Sequence, residues 1–321
     1  MKNKTKVLIL GADGFIGSNL VKSLQKDKKY KIFAFDLFKD GASKNIKKFD
    51  ENLVMIQGNF LNRGDIKNAV KGVDYVFHFI SLTTPGSSMN DPLIDINTNI
   101  VGTVNLLEEC VKAKVKRIIF PSSGGAIYGN QRKEVYNEED NTDPISPYAI
   151  SKLAIEKYLQ YYKSHRGLDY LILRYSNPYG PGQNVVGSQG IISIFLNLIK
   201  NNKPITIFGD GENIRDYIYI DDLINITRKV FDKKNKYQLY NIGSGNGASI
   251  NEIVKIIRKV SKSKITIEKQ PNRDIDVRKI VLDTKRISDE INYVPKISLE
   301  KGIQKTWEWL EKKNKRIAET H

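Results

Sequence analysis

Val7-Leu8-Ile9-Leu10-Gly11-Ala12-Asp13-Gly14-Phe15-Ile16-Gly17 decides the fold of this chain. Four apolar residues without alternation read as a strand buried on both faces. From Phe15 to Leu24 the apolar residues recur with helical spacing. The three glycines between strand and helix stand as G-x-x-G-x-x-G rather than G-x-G-x-x-G, but the physical demands are the same. A tight turn, close approach of backbone to a pyrophosphate and close helix–strand packing all exclude a Cβ. The helix N-terminus supplies open amides and the positive end of a dipole. Asp36 ends the next apolar run, Lys31–Phe35, about 20 residues later, where a carboxylate can hold both hydroxyls of a ribose. The same carboxylate repels a 2′-phosphate, so NAD is expected rather than NADP.

Outward from this stretch the pattern repeats. Short apolar runs at Leu53–Ile56, Val73–Ile80, Lys116–Phe120 and Tyr170–Leu173 read as strands. Asp91–Ala113 reads as a helix whose apolar face carries Ile94, Ile100, Val104, Leu107 and Val111. Strands alternating with helices predict an α/β fold, a doubly wound parallel sheet of Rossmann type. Beyond Asn177-Pro178-Tyr179-Gly180 the alternation loosens. Helices are expected over Gly187–Asn201, Asp221–Phe231, Ile250–Val260 and Leu299–Lys312, and strands over Ile205–Phe208, Leu239–Ile242 and Ile265–Glu268. Leu239–Ile242 is placed back in the main sheet. The expected domains are a dinucleotide-binding one (1–177 plus about 221–245) and a smaller, discontinuous α/β substrate lobe (about 178–220 plus 246–315).

Composition excludes more than it specifies. The 321 residues carry a formal charge of +16, but the lysines are scattered, with no basic stripe interleaved with aromatics. A solvated lysine-rich surface is therefore expected, not nucleic-acid binding. An anionic small molecule suits the surplus. Cys110 is the only cysteine, so no intrachain disulfide can form, and its helical spacing with Leu107 reads as a packed small hydrophobe. The three histidines have no metal-ligand spacing, and no run is long enough to span a membrane. A cytoplasmic protein is expected.

The chemistry points to Ser146-Pro147-Tyr148-Ala149-Ile150-Ser151-Lys152. Pro147 suits the first turn of a helix. Tyr148 and Lys152, four residues apart, share one face. A nearby ammonium favours phenolate, which would make Tyr148 a general base; the same spacing also occurs in purely structural pairs. Upstream, the fifth strand runs into Pro121-Ser122-Ser123-Gly124-Gly125-Ala126-Ile127-Tyr128-Gly129. The carboxyl end of a parallel strand near the sheet's crossover is a ligand site in such folds. Ser122 or Ser123 there could bond a substrate hydroxyl whose proton Tyr148 takes.

With these motifs the chain resembles the extended short-chain dehydrogenase/reductase family, in its nucleotide-sugar epimerase and dehydratase branch. Further carriers are Leu173–Gly180, Gly209-Asp210-Gly211, Arg215–Asp222, Tyr240–Gly243 and Asn272-Arg273-Asp274, so the likeness spans nearly the whole chain. The resemblance implies a bound NAD, a nucleotide-diphosphate sugar as substrate (a UDP-sugar foremost) and a homodimer through the helices Asp91–Ala113 and Pro147–Lys163. It implies catalysis by Tyr148, with Lys152 beside it and holding the nicotinamide ribose. It sets Phe15, Ile16, Asn99, Ser122, Tyr175 and Pro178 at the cofactor, Asn59 and Phe60 near the adenine, and Ile80 and Ser81 along the pyrophosphate, though Ser81 could equally cap a turn. Asn177 and Arg273 are its candidates for the sugar-nucleotide site and Arg215 for the diphosphate, against the plainer readings of a turn residue and surface ion pairs. Gly124 departs from the pattern: many relatives carry there the Ser or Thr that shares the substrate hydroxyl with tyrosine. Ser123 replaces it, or a water does, or the substrate sits differently. Neither Gly124 nor Gly125 can supply the carboxylates that dehydratases of the branch carry at this point, which favours epimerisation at C4 over 4,6-dehydration, with a 4-dehydrogenase or ketoreductase and a catalytically silent NAD-binding scaffold as further alternatives.

Overall fold

The computed structural model describes residues 4–46, 50–131, 133–185, 189–272 and 277–318. Seven strands form one sheet: β1 (Thr5–Leu10), β2 (Tyr30–Asp36), β3 (Leu53–Gln57), β4 (Tyr75–His78), β5 (Arg117–Ser123), β6 (Asp169–Tyr175) and a late strand, Leu239–Ile242. Their order across the sheet is the late strand, β6, β5, β4, β1, β2, β3, and every pairing is parallel. The crossover falls between β1 and β4, so the carboxyl ends of those strands frame a crevice. The unbroken apolar run in β1 has its cause here. Val7 and Ile9 pack into the core on one face of the sheet, Leu8 and Leu10 into the core on the other. Cys110 is fully buried in the second core, and burial pushes its thiol pKa up.

Four short strands were not legible as strands. β7 (Asn177–Tyr179), β8 (Ile205–Phe208) and β9 (Ile214–Tyr219) precede the late strand, which is β10; β11 (Gly247–Ser249), β12 (Ile267–Gln270) and β13 (Lys279–Ile280) follow it. β9 pairs with β7, β11 and β13, while β8 pairs with β12. Two to six residues long, β7, β9, β11 and β13 are defined by their partners and carry too little pattern to announce themselves.

Two helices also differ from expectation. The stretch expected as one helix from Asp91 runs as Pro92–Asp95, a π-helical turn over Ile96–Val101, and Gly102–Lys112. The helix expected from Gly187 begins at Ile191, after Gly190 at φ +88°, while Gly187 itself lies outside the described residues. No helix among the described residues is long and apolar enough to cross a membrane.

Candidate active site

One cleft of about 630 Å³ runs from the glycine turn to β8 and β9. Gly11, Gly14, Phe15, Ile16 and Gly17 form its first wall. Gly11 holds φ +80°, and a Cβ on Gly17 would stand 2.1 Å from the Gly11 carbonyl oxygen, so helix and strand touch only because that position is bare. Gly14 precedes the helix Phe15–Leu24 with no side-chain cap, and no acidic residue stands in the first turn. The leading amides therefore remain open to an anion. Asp36 accepts the Asp13 amide (2.9 Å) and the Leu37 amide (2.8 Å), which leaves lone pairs on both oxygens for further donors. Asp13, inside the turn, is taken up by the amides of Lys44 and Asn45, which donate to its carboxylate (3.0 and 2.9 Å).

The second wall holds the candidate reacting groups. β5 continues through Pro121 and Ser122 to Ser123, farther than its apolar run suggests, and presents both serines to the cleft. Ser146 caps the helix Pro147–Arg166 by accepting the Ala149 amide (3.3 Å). Tyr148 and Lys152 project from its first turns into the cleft. Ser123 and Tyr148 line the cleft together, and it is the Ser123 hydroxyl, not a group at the Gly124 position, that pulls the phenol pKa down. The Gly124 position is closed to a side chain: a Cβ there would lie 2.6 Å from Leu282 Cδ1 and 3.1 Å from the Arg174 carbonyl oxygen.

The electrostatics correct one expectation. Burial pushes the Tyr148 pKa up to about 12, against the downward pull of the Ser123 hydrogen bond, and Asp95 adds to the rise. Burial also pulls Lys152 down to about 8, while Asp95 and Glu156 act upward. Lys152 is not among the groups that lower the phenol here; its Nζ donates to the Pro121 carbonyl (3.1 Å) and lies 4.7 Å from the Phe120 ring centroid and 5.6 Å from that of Tyr148. In this state the pair is a phenol beside an amine that titrates near neutrality. His78, at the end of β4, bonds Thr103 through Nε2 (2.9 Å), and burial drives its pKa to about 3, so it stays neutral.

Several candidates have more than one task. Asn99 gives its amide hydrogens to Thr83 (2.7 Å) and Asp95 (2.9 Å) and accepts the Leu82 amide, so its side chain braces the loop after β4 rather than reaching into the crevice. Asn59 accepts the Leu61 amide in its own turn (3.0 Å), and Phe60 is buried against His78. Ser81 Oγ donates to the Thr83 carbonyl (3.2 Å), the turn-capping alternative, yet it still lines the cleft. Ile80 packs against Gly11. Tyr175 and Pro178 line the cleft, the Tyr175 hydroxyl bonded to Thr227 (2.9 Å).

At the far end Asn177 stands in β7, not in a loop, and donates to the Asp216 carbonyl (3.0 Å). Arg215 faces the cleft from β9, with Nη1 on the Ile214 carbonyl (2.9 Å). Arg273 lies outside the described residues. Sequence reasoning missed Thr206, Phe208, Asn213 and Tyr217, which complete this end. It also missed Asp95, although its spacing of four from Asn99 on a helix was a usable signal.

A dinucleotide fits the first two walls on features of the chain itself. The glycine turn leaves room for backbone approach, the helix N-terminus is open, and the buried hydroxyls of Ser122 and Ser176 lack partners among the described residues while lining the cleft. Fold and cleft thus define a Rossmann-type dinucleotide-binding enzyme with a second ligand site joined to the first.

The model of the NAD dependent epimerase/dehydratase family matches residues 7–243. The chain belongs to that family, and its cofactor is NAD. It is 30% identical over 313 residues to the UDP-glucose 4-epimerase of Mycolicibacterium smegmatis, covering 96% of this chain and 99% of that one. It is also 30% identical over 308 residues to the dTDP-4-dehydro-6-deoxyglucose reductase of Escherichia coli, covering 94% and 96%. Among solved structures, UDP-glucose 4-epimerase from Thermotoga maritima, crystallised with UDP-glucose, superposes with TM-score 0.90 at 33% identity, over 97% of this chain and all of that one.

Proposed function

We propose that this chain is a nucleotide-sugar 4-epimerase acting on a UDP-hexose or UDP-N-acetylhexosamine. The observation that carries the reading is that Ser123, Tyr148 and Lys152 line one cleft together, between the glycine turn and Arg215. NAD⁺, when bound, supplies reversible hydride acceptance and a positive charge beside the phenol.

The cofactor is held on the lobe formed by 1–177 and 221–245: its pyrophosphate by the amides of the Gly11–Gly17 turn, with Ile80 and Ser81 alongside, its adenosine by Asp36, Asn59 and Phe60, its nicotinamide end by Ser122, Lys152, Tyr175 and Pro178. The sugar nucleotide lies on the lobe formed by 178–220 and 246–315. Arg215 neutralises its diphosphate, since a guanidinium fork matches phosphate oxygens. Asn177 orients it and Arg273 joins them. Ser123 positions the C4 hydroxyl, and Tyr148 removes that proton and returns it to the 4-keto sugar after the sugar has turned over. Gly124 and Gly125 offer no carboxylate for proton transfer at C5, which favours epimerisation over dehydration. The likeness to a reductase keeps 4-ketoreduction as the second reading.

We also propose a cytoplasmic homodimer. On the outer faces of the Pro92–Asp95 helix and the helix Pro147–Arg166, Leu93 (69% exposed), Ile94 (51%), Ile150 (52%) and Tyr161 (48%) form an apolar surface that a second copy would cover.

Incubating the pure protein with UDP-glucose, UDP-galactose and their N-acetylamino counterparts in D₂O separates the readings by NMR. An epimerase interconverts C4 isomers with no deuterium entering the sugar. Deuterium at C6, or turnover only of a 4-keto sugar with added reduced cofactor, would replace this reading. Tyr148→Phe is expected to lower turnover by about 10²–10⁴-fold while NAD binding persists; unchanged kcat would remove Tyr148 from the mechanism.

A further inference from the structure

Side chains from three elements, a loop, a π-helical turn and the Tyr148 helix, converge on one carboxylate that the mechanism above does not use. Asp95 is fully buried. Its Oδ1 accepts from the Thr83 hydroxyl and from Asn99 Nδ2 (2.9 Å), and its Oδ2 accepts from the Ser151 hydroxyl. Thr83 belongs to the loop that lines the cleft after β4. Asn99 sits in the π-helical turn, and its Oδ1 accepts the Leu82 amide of that same loop (3.1 Å). Ser151 lies between Tyr148 and Lys152 on their helix. The loop is tied to the helix a second time, since the Tyr148 amide donates to Ser88 Oγ (3.1 Å).

We propose that Asp95 is a positioning residue: its carboxylate locks the sugar-side loop, the π-helical turn and the Tyr148/Lys152 helix together, and it supplies the negative charge facing that pair. The proposal rests on the reading of Tyr148 and Lys152 as the reacting groups.

Buried carboxylates are costly unless charge compensates them. Among the described residues every donor bonded to Asp95 is neutral. Lys152 is the cation that feels its charge, and among the described residues the Pro121 carbonyl is the hydrogen-bond partner of Lys152. The other charged or titratable groups around Lys152 are committed elsewhere. Glu156 makes a two-pronged pair with Arg174 (2.7 and 3.1 Å), and His78 is neutral against Thr103. Asp95 therefore favours the ammonium of Lys152 and opposes the phenolate of Tyr148. Removing its charge lowers both pKa values.

Asp95→Asn keeps shape and hydrogen-bonding capacity and removes the charge. With NAD⁺ bound and no sugar present, the tyrosinate absorbance of Tyr148, taken as the difference from Tyr148→Phe, is expected to titrate about one pH unit lower in Asp95→Asn. Ser151→Ala keeps the carboxylate and removes a donor that partly neutralises it, so its midpoint is expected to move the opposite way by about half a unit. In turnover, the limb set by Tyr148 and the alkaline limb set by Lys152 near pH 8 are both expected to move to lower pH in Asp95→Asn. An unmoved midpoint in whichever variant folds, or a loss equal at every pH, overturns the proposal. The titration needs no sugar, so absence of epimerisation sinks the proposed function and leaves this test decisive on its own.

Discussion

The two ends of the cleft are built in opposite ways. The cofactor end comes from one β-turn-α unit and the strand that follows it: Gly11 to Gly17, then Asp36, all within about 30 residues. The far end, proposed for the sugar nucleotide, comes from Asn177, Gly190, Thr206, Phe208 and Arg215, carried on short strands and a helix start, the strands pairing with partners up to about 65 residues away. Local geometry makes the first end rigid: helix and strand meet at a bare Gly17, and Asp36 is pinned by two backbone amides. The second depends on the packing of β9 among β7, β11 and β13. Buried Asp216 anchors that packing by accepting from the backbone amides of Ser244, Gly245 and Leu282. A locally built site beside a composite one suits the proposed enzyme, which would keep its cofactor and exchange its substrate.

Substitutions can break this contrast or sharpen it. The largest effect is expected from Gly17→Ala, whose Cβ would strike the Gly11 carbonyl. NAD affinity, measured by calorimetry, should fall about a hundredfold, equivalent to roughly 3 kcal/mol, with the melting temperature reduced as well. Normal affinity would mean that the turn has slack and the near end is not rigid. Next is Arg215→Lys at the far end, which keeps charge but loses the fork. It should raise the KM for a UDP-sugar about tenfold and leave NAD affinity unchanged. A matching loss of NAD affinity would show the two ends to be one coupled site. The smallest effect on ligand binding and turnover is expected where they meet. Gly124→Ser restores a hydroxyl at a position where many relatives have one, yet Leu282 and the Arg174 carbonyl already fill the space. A loss of about 1–3 kcal/mol of stability, read from denaturant unfolding, with no gain in kcat, is the expected result. Faster turnover would instead make Ser123 a substitute that Gly124 can relieve.

Much of this was readable from residues near one another in the chain. The run Val7–Leu10 announced a strand buried on both faces, and both cores confirm it. The glycine spacing announced the turn, and Leu239–Ile242 was correctly returned to the parallel sheet. Helical spacing alone placed Tyr148 and Lys152 on one face. These features are legible because periodicity, glycine and capping residues act within a few positions.

Folding decided the rest, because burial and long-range pairing have no local signature. Lys152 stood four residues from Tyr148 in any reading, but only the packed structure sends its ammonium to the Pro121 carbonyl and lets desolvation outweigh charge on the phenol. Gly124 looked like a missing hydroxyl, and only the packing of Leu282, more than 150 residues away, makes it a position without room for one. Asn99 looked like a cofactor contact and became a brace between Thr83 and Asp95. The chain's own order of residues determined a Rossmann-type sheet, a dinucleotide turn and a Tyr/Lys helix. Which serine meets that tyrosine, and which charge faces it, depended on strands and loops that come together only when the sheet closes its cores.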